Sequence, residues 1–298
     1  MRVWKKETPG EIAFDLGNKL IILLLTLLFL YPLWHVIMAS FSEADRLISH
    51  VGPIVRPQGF SLRGYHAVFR NKSILTGYAN TIFYVSMGTV LNIVMTTLGA
   101  FVLSRQKMLF KKFLTLFVII TMYVHAGLIP GFLLVRNLGL YNSRWALLLP
   151  GMIGTWNLIV MRTVFNQVPR SLEESAQIDG ANDFTILTRI IVPVSKATIM
   201  VMVLFYAVGH WNSWFSAVIY LRDRDKYPLQ LFLREILLMN NTQDSSISAA
   251  DASTSDFFLL GEVIKYCAIV VSTIPILMIY PMVQKYFVKG VMMGSLKE

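Results

Sequence analysis

Long apolar runs separated by polar segments dominate this amino-acid sequence. Six of the runs are long enough to cross a hydrocarbon core of roughly 30 Å as α-helices that rise about 1.5 Å per residue. They lie at about residues 19–40, 76–104, 113–135, 144–165, 197–221 and 262–287. Strand-like alternation is absent from them, and helices are then the spanning form that satisfies the backbone within lipid. The pattern therefore predicts an all-α membrane protein with six transmembrane helices.

Proline and glycine interrupt several of these runs. Pro130 and Gly131 lie in the third run, and Pro150, Gly151 and Gly154 lie in the fourth. Such breaks are tolerated where neighbouring helices or water satisfy the freed backbone groups. They fit a helix bundle that lines a path, but proline is also more frequent in membrane helices than in soluble ones. The pattern leaves both interpretations open.

A short basic loop sets the predicted orientation. Residues 105–112 carry four Lys or Arg residues and no acidic residue. The positive-inside rule places such a loop in the cytoplasm. Six spans then put both termini and residues 166–196 on the cytoplasmic side, and residues 43–73 and 222–261 outside.

Composition agrees with a membrane protein and excludes other classes. The chain is 55% hydrophobic and 15% charged, whereas soluble domains are about 25% charged. Its net charge is +10, but the cations lie between apolar runs and form no basic stripe with interleaved aromatic residues, which disfavours nucleic-acid binding. The single cysteine, Cys267, is expected to be a packing residue. Metal ligation is not expected, because the histidines are scattered at positions 35, 50, 66, 125 and 210.

Residues 168–193 predict a short helix, a glycine and a second helix. Ser171 is a suitable N-cap for the first helix, and Glu174 three residues later completes a capping box. Gly180 can adopt the left-handed conformation that ends this helix. Either Asn182 or its neighbour can cap the second helix.

The same segment mixes apolar and acidic residues, and this favours a surface that docks on a partner protein at the membrane. The alternative is an amphipathic connector on the lipid headgroups, but such helices are usually rich in Lys and Arg. A catalytic carboxylate pair is disfavoured too, because adjacent helical residues point in different directions. The residues concerned are apolar Leu172, Ala176 and Ile178, and acidic Glu173, Asp179 and Asp183.

This segment resembles the coupling loop of binding-protein-dependent ABC importers. The pattern of that loop is E-A-A, three residues, G, nine residues and I-x-L-P. The chain departs from it modestly, at Ser175 in place of Ala and at Val192 in place of Leu. A pattern of this length with fixed spacing is specific. The matching residues are Glu174-Ser175-Ala176, Gly180, Ile190, Val192 and Pro193, of which the last ends the second helix or leads it into the fifth span.

The resemblance covers nearly the whole chain. The runs AGLIPGFLLVRNLGLYNSRWALLLPG, GHWNSWFSA and QKYFVKGVMMG are similar to carbohydrate-type permeases. In particular they resemble the subfamily that serves complex or acidic polysaccharide fragments, such as alginate or rhamnogalacturonan oligosaccharides. The resemblance implies a multi-pass protein of the bacterial inner membrane that moves oligosaccharides delivered by an extracytoplasmic binding protein. It also implies a second permease, usually a different chain, and two ATPase subunits.

The resemblance implies that the loop is a coupling helix docked in a cleft of the ATPase. ATP-driven closure of the two ATPases would then rock the two permeases between inward-open and outward-open states. The chain has no Gly-x-x-x-x-Gly-Lys-Ser/Thr sequence, so we expect ATP and Mg²⁺ on the ATPase and no enzymatic activity, metal or cofactor in this chain. The expected coupling residues are Glu173, Glu174, Ser175, Ala176, Asp179, Gly180, Asp183 and Pro193.

Polar and aromatic residues within the fourth and fifth runs are candidates for the substrate path. Polar groups in a membrane core usually face the bundle or a water-filled cavity, and aromatic rings suit the C–H faces of sugars. Hydrogen bonding between helices is the alternative use of such residues. The candidates are Trp156, Asn157, His210, Trp211, Asn212 and Trp214. Four outer cations either attract an acidic sugar or binding protein or anchor the chain at the headgroups: Arg222, Arg224, Lys226 and Arg234.

Two other functions compete with an ATP-driven permease. A membrane-embedded enzyme would need intramembrane carboxylates, histidine pairs or a metal set, and the six runs contain few acidic residues. An ion-coupled secondary transporter would need buried ion-coupling residues and usually more helices.

Overall fold

The computed structural model describes residues 8–105, 108–124, 126–243, 261–279 and 281. Regular secondary structure within these residues is helical, which confirms the predicted fold class. The helices that precede the predicted coupling loop (residues 166–196) are α1 Pro9–Ser40, α2 Ala44–Ser49, α3 Arg63–Arg70, α4 Lys72–Ser104, α5 Lys111–Tyr123, α6 Leu128–Asn137, α7 Trp145–Leu148 and α8 Thr155–Asn166.

The coupling loop and the following chain form shorter helices. They are α9 Arg170–Ile178, α10 Asp183–Ile186, a π-helical turn Leu187–Ile191, α11 Val192–Val194, α12 Lys196–Trp211, α13 Phe215–Tyr220, a 3-10 turn Arg224–Lys226, α14 Leu229–Gln243 and α15 Gly261–Ile279.

Three helices of the described residues, α1, α4 and α15, are individually long and apolar enough to cross a membrane. Two bent helix pairs add up to two more spans: α5 with α6, and residues 183–194 with α12, the second pair bending by 85°. The count of six spans therefore stays a prediction. The predicted sixth span continues to residue 287, and its end lies outside the described residues.

The fourth predicted span differs most from the structure. The sequence predicts one helix over residues 144–165, but α7 ends at Leu148 and α8 begins at Thr155. With 12 residues, α8 is about 18 Å long and too short to span a bilayer alone. The intervening residues include Pro150, Gly151 and Gly154, which lack a backbone donor or favour non-helical conformations. A single continuous helix was therefore the wrong prediction here.

The described residues divide into two compact units, one within residues 1–70 and 236–271 and one within residues 71–235 and 272–298. In the first unit, α1 exposes apolar side chains all along its length, as a lipid-facing helix does. Its last residue, Ser40, shares a hydrogen bond of 2.7 Å with the Tyr65 hydroxyl. The Cys267 thiol is buried and donates to the Ser40 carbonyl oxygen over 3.3 Å, which confirms its predicted packing role.

In the second unit, α4 packs along α8 and α12. A large hydrophobic cluster of this unit lies at the C-terminal end of α4, where α4 meets α8 and the segment after α9. The coupling loop is therefore continuous with the core. The buried members are Ala100, Phe101, Leu103, Leu158, Met161, Phe165, Val168, Ile186, Leu187, Ile191 and Met202.

Candidate functional site

The first helix of the coupling loop, α9, begins two residues earlier than the predicted cap implies. Pro169 occupies the N-cap position, and no side chain caps this end of the helix. Ser171 and Glu174 consequently lie within the first turns. The predicted capping box between them is wrong, which leaves the Glu174 carboxylate exposed and available for other contacts.

The end of α9 is built as the sequence predicts. Gly180 has φ = 81°, the left-handed conformation expected of it. The Ala181 N–H donates to the Ala176 carbonyl oxygen over 2.8 Å, and the Gly180 N–H donates to Gln177 over 3.0 Å. These two bonds form a Schellman motif, in which a positive φ lets the chain reverse and satisfies the last carbonyls. Asn182 then caps α10 by accepting from the Thr185 N–H over 2.8 Å, as one of the two predicted alternatives.

Buried side chains anchor the loop after α10. Ile186, Leu187 and Ile191 lie in the core of the second unit. The π-helical turn that contains two of them was not predicted. Pro193 lies in α11 and leads the chain on, and Ser195 separates this segment from α12 at the 85° bend. The anchoring gives the exposed part of the loop a fixed base.

An apolar and acidic surface is exposed on α9 and α10. Ile178 is 87% exposed and Phe184 is 67% exposed. Large apolar side chains that are grouped on a protein surface in contact with water usually mark an interaction site. Sequence reasoning missed Phe184, an aromatic residue just after the α10 cap. We call this group the docking surface, and it comprises Leu172, Glu174, Ser175, Ile178, Asp179, Asp183 and Phe184, all exposed.

Two predicted coupling residues, Glu173 and Ala176, contact other parts of the same chain and do not belong to the exposed surface. The Glu173 carboxylate forms an ion pair with the Arg105 guanidinium at the end of α4, and their side chains are 14% and 24% exposed. Ala176 is partly buried against the core. The predicted set therefore divides into exposed residues and residues that hold α9 in place.

Asn92 is the centre of a polar network within the second unit. Its side-chain amide donates to the carbonyl oxygens of Gly151 over 2.8 Å and Met152 over 2.9 Å. Its Oδ1 lies 2.6 Å from His210 Nε2. Because the Asn92 nitrogen is used as a donor, its oxygen accepts and His210 donates. Asn92 thereby satisfies two carbonyls in the break between α7 and α8 and joins this break to α12.

A tyrosine completes the same break. The Tyr206 hydroxyl accepts from the Gly154 N–H over 3.1 Å and lies 2.7 Å from Thr96 Oγ1. Asn92, Thr96 and Tyr206 were all missed by sequence reasoning, although the first two are polar residues within an apolar run. Three backbone groups of the break, the Gly151 and Met152 carbonyls and the Gly154 N–H, are thus satisfied by α4 and α12.

The six predicted path residues occupy different surroundings. His210 belongs to the Asn92 network. Trp211 is buried edge-on to Tyr78, with ring centroids 6.2 Å apart, and its indole N–H has no hydrogen-bond partner within the described part of the chain. Trp214 lies under Arg234, whose guanidinium carbon is 3.6 Å from the ring centroid. The remaining three are Trp156, which is 64% exposed, half-buried Asn157 and exposed Asn212.

Three of the four outer cations have partners within the chain. Arg224 pairs with Glu235 at 2.5 Å, Lys226 pairs with Asp223 at 2.9 Å, and Arg234 stacks on its aromatic ring. These contacts join the cations to other residues of the chain, and both predicted roles, headgroup anchoring and attraction of an acidic partner, stay predictions. For the fourth, Arg222, the backbone N–H donates to Asn142 Oδ1 over 3.0 Å.

Hydrogen bonds join Asn142 to residues 222–226, and we call this contact the outer connection. Asn142 has φ = 58°, and its side-chain oxygen also accepts from the Asp223 N–H over 3.1 Å. Hydrogen bonds from Lys226 and from Asn142 hold the pKa of Asp223 below its usual value, because they favour the charged carboxylate. Among the described residues, no group of three or more His, Cys, Asp and Glu side chains is placed to hold a metal ion.

Comparison with known proteins decides the family. Residues 93–292 match the family described as the binding-protein-dependent transport system inner membrane component. The chain belongs to this family. It is thus a transport permease, an inner membrane protein that works with other subunits. The matched residues include His210 of α12, which donates to Asn92, and the docking surface.

Individual relatives support the same assignment. The permease is 37% identical over 284 residues to the polygalacturonan/rhamnogalacturonan transport system permease protein YtcP of Bacillus subtilis, covering 95% of this chain and 98% of that protein. It is 36% identical to the protein LplC of the same organism, covering 97% of each. A crystal structure of a bacterial ABC transporter involved in the import of the acidic polysaccharide alginate contains a chain with a TM-score of 0.85 and 30% identity, covering 95% of this chain and 99% of that one.

Proposed function

We propose that this permease is a subunit of an ATP-driven importer of oligosaccharides, and that its docking surface couples it to a separate ATPase. The observation that carries the proposal is the exposed Ile178 and Phe184 on a loop whose following residues are buried in the core. A surface of this kind is fixed relative to the helices, so a push on it moves them rather than the loop alone.

The chemistry of the docking surface suits a protein groove. Ile178 and Phe184 would fill apolar positions, and Glu174, Asp179 and Asp183 would face cations of the ATPase. An arginine is a natural partner for such a carboxylate, because its guanidinium can form two parallel hydrogen bonds. ATP and Mg²⁺ would bind to the ATPase alone, since this chain lacks a phosphate-binding loop sequence.

The proposed assembly has two permeases, two ATPases and an extracytoplasmic binding protein, and the second permease is a different chain. Both termini and the docking surface would lie in the cytoplasm. The short basic loop at residues 105–112 supports this orientation. The ion pair between that loop and α9 agrees with it, because it brings both segments to the same end of α4.

The proposed substrates are acidic oligosaccharides. Polygalacturonan and alginate are polymers of uronic acids. Each is the polymer named for transport by a protein that this chain resembles along nearly its whole length. The exposed Trp156 and Asn212 are the best candidates for sugar contact among the predicted path residues. His210 and Trp211 would instead hold the helices that shape the path, since one is hydrogen-bonded and the other is buried. Alanine at Trp156 or Asn212 should reduce uptake and leave ATPase binding intact.

Co-purification of the ATPase tests the docking surface. Glu174→Lys reverses an exposed charge, and Gly180→Val places a branched side chain at a positive φ and misdirects the start of α10. Both variants should assemble in the membrane, lose ATPase in affinity purification and take up oligogalacturonides poorly. Asp45→Lys is the matched control, because it reverses an exposed acidic charge on α2 and should change nothing. Full ATPase retention and uptake in both loop variants would refute the proposal.

A further inference from the structure

The C-terminal end of α4 is where several helices are joined. Its last carbonyls accept hydrogen bonds from basic side chains, which favour this end of a helix dipole. Arg162 Nε of α8 donates to the Leu103 carbonyl oxygen over 3.2 Å, and Lys111 Nζ of α5 donates to Ser104 over 3.2 Å. The helices α4, α5 and α8 are thus tied together at one point.

Arg105 follows directly and is held in place on α4. Its guanidinium carbon lies 4.3 Å from the centroid of the Phe101 ring. Its Nε and Nη2 donate to Ser104 Oγ over 3.3 Å and 3.1 Å. The orientation of the guanidinium is therefore fixed by α4 itself, and the remaining nitrogen points to the Glu173 carboxylate of α9.

The ion pair with Arg105 is one of the contacts that join α9 to the rest of the second unit. No residue of α9 is buried, and Ala176 packs against the core only partly. The Arg105 and Glu173 side chains are both shielded from solvent for the most part, so salt screens their attraction less than that of an exposed pair. At its other side α9 carries the exposed docking surface.

The same helix, α4, carries Asn92. Thirteen residues separate Asn92 from Arg105, which corresponds to about 20 Å along a continuous helix. Asn92 holds the carbonyls of the broken fourth segment and receives the hydrogen bond of His210. A displacement of α9 that reached Arg105 would therefore reach the break and α12 through one rigid element.

We propose that Arg105 is a positioning residue that makes α9 and α4 move as one body, so that its ion pair with Glu173 transmits the motion of the docking surface to the broken fourth segment. This inference rests on the proposed function. It assigns to Arg105 no contact with the ATPase and none with the substrate.

The test uses the complete transporter in lipid nanodiscs, with spin labels at exposed Val90 on α4 and exposed Gln177 on α9 in a Cys267→Ser background. In the otherwise unchanged protein, the distance between the labels should be the same without nucleotide and after trapping with ATP and vanadate. In Arg105→Gln and in Glu173→Gln, trapping should shift or broaden this distance. Equal distances in all states of both variants would overturn the inference.

Transport supplies the second readout. Arg105→Gln and Glu173→Gln should raise the number of ATP molecules hydrolysed per oligogalacturonide transported several-fold, because ATPase cycles would then occur without movement of α4. Arg105→Lys and the double variant Arg105→Glu/Glu173→Arg should restore the ratio. The control Lys19→Gln, which breaks the exposed pair with Asp15, should leave it unchanged.

The outcomes separate this inference from the proposed function. If the unmodified transporter binds no ATPase, the proposed function fails first. If it does bind ATPase and Arg105→Gln loses it, the ion pair maintains the docking surface and transmits nothing. A variant that fails to assemble would likewise show a role in folding, and a double variant that restores nothing would exclude the pair as the link.

Discussion

Replacing Asn92 tests the polar network that supports the broken fourth segment. Asn92→Leu keeps the branching and the number of side-chain heavy atoms, with larger methyl groups, but removes the donor to Gly151 and Met152 and the acceptor for His210. Three hydrogen bonds at about 0.6–1.5 kcal/mol each amount to roughly 2–4 kcal/mol of lost stability. The lower figure applies if the freed groups find other partners, and the higher one if they stay buried and unpaired.

Thermal unfolding of the purified permease in detergent measures this loss. For a chain of this size, about 2–4 °C of melting temperature accompany each kcal/mol, so the midpoint should fall by at least about 4 °C. Asn212→Leu is the matched control, because it makes the same substitution at an exposed position next to α12 and should shift the midpoint by less than about 2 °C. Equal midpoints for both variants would mean that the carbonyls of the break do not depend on Asn92.

Three further predictions address other parts of the chain. A cysteine at Ser171, in a variant without the native thiol, should resist an impermeant thiol reagent added to intact cells; labelling from outside would reverse the proposed orientation. Asp223 should stabilise the outer connection above pH 4 and lose this effect as the pH falls through its lowered pKa, so hydrogen exchange there should accelerate in acid. Asp223→Asn should abolish that dependence, and a pH-independent wild type would contradict it. Gly88→Val should place methyl groups against the His210 imidazole and lower the melting midpoint as Asn92→Leu does; an unchanged midpoint would show that α4 and α12 separate freely there.

Local features of the coupling loop could be predicted from the sequence because they depend on near neighbours. The left-handed Gly180 and the Asn182 cap each involve groups within a few residues. The N-cap prediction for α9 is wrong for a similar local reason. Ser171 has the hydroxyl and the spacing from Glu174 that a capping box needs, but the helix already begins after Pro169.

The support of the fourth segment could not be predicted in the same way. Pro150 and Gly151 signalled a break, but not which groups would satisfy it. Asn92 lies 59 and 60 residues away from its two carbonyl partners, and the Tyr206 hydroxyl lies 52 residues from the Gly154 N–H. Only the packing of α4 and α12 brings them together. The same holds for Glu173, whose acidic character suggested a partner protein but whose partner, Arg105, lies in the same chain.

The π-helical turn at Leu187–Ile191 has a consequence for the length of the chain. Such a turn accommodates one residue more than an α-helix over the same rise, and it does so without rotating the helix on either side. Losing a single residue within it would return the segment to α-helical geometry and leave Ile186 and α12 in their present orientation. Losing one within α12 would rotate everything beyond it by about 100° and take His210 away from Asn92. Because the turn lies within the fixed spacing between Gly180 and Pro193, its extra residue sets the length of chain from the end of α9 to α12 and leaves the orientation of α12 unchanged.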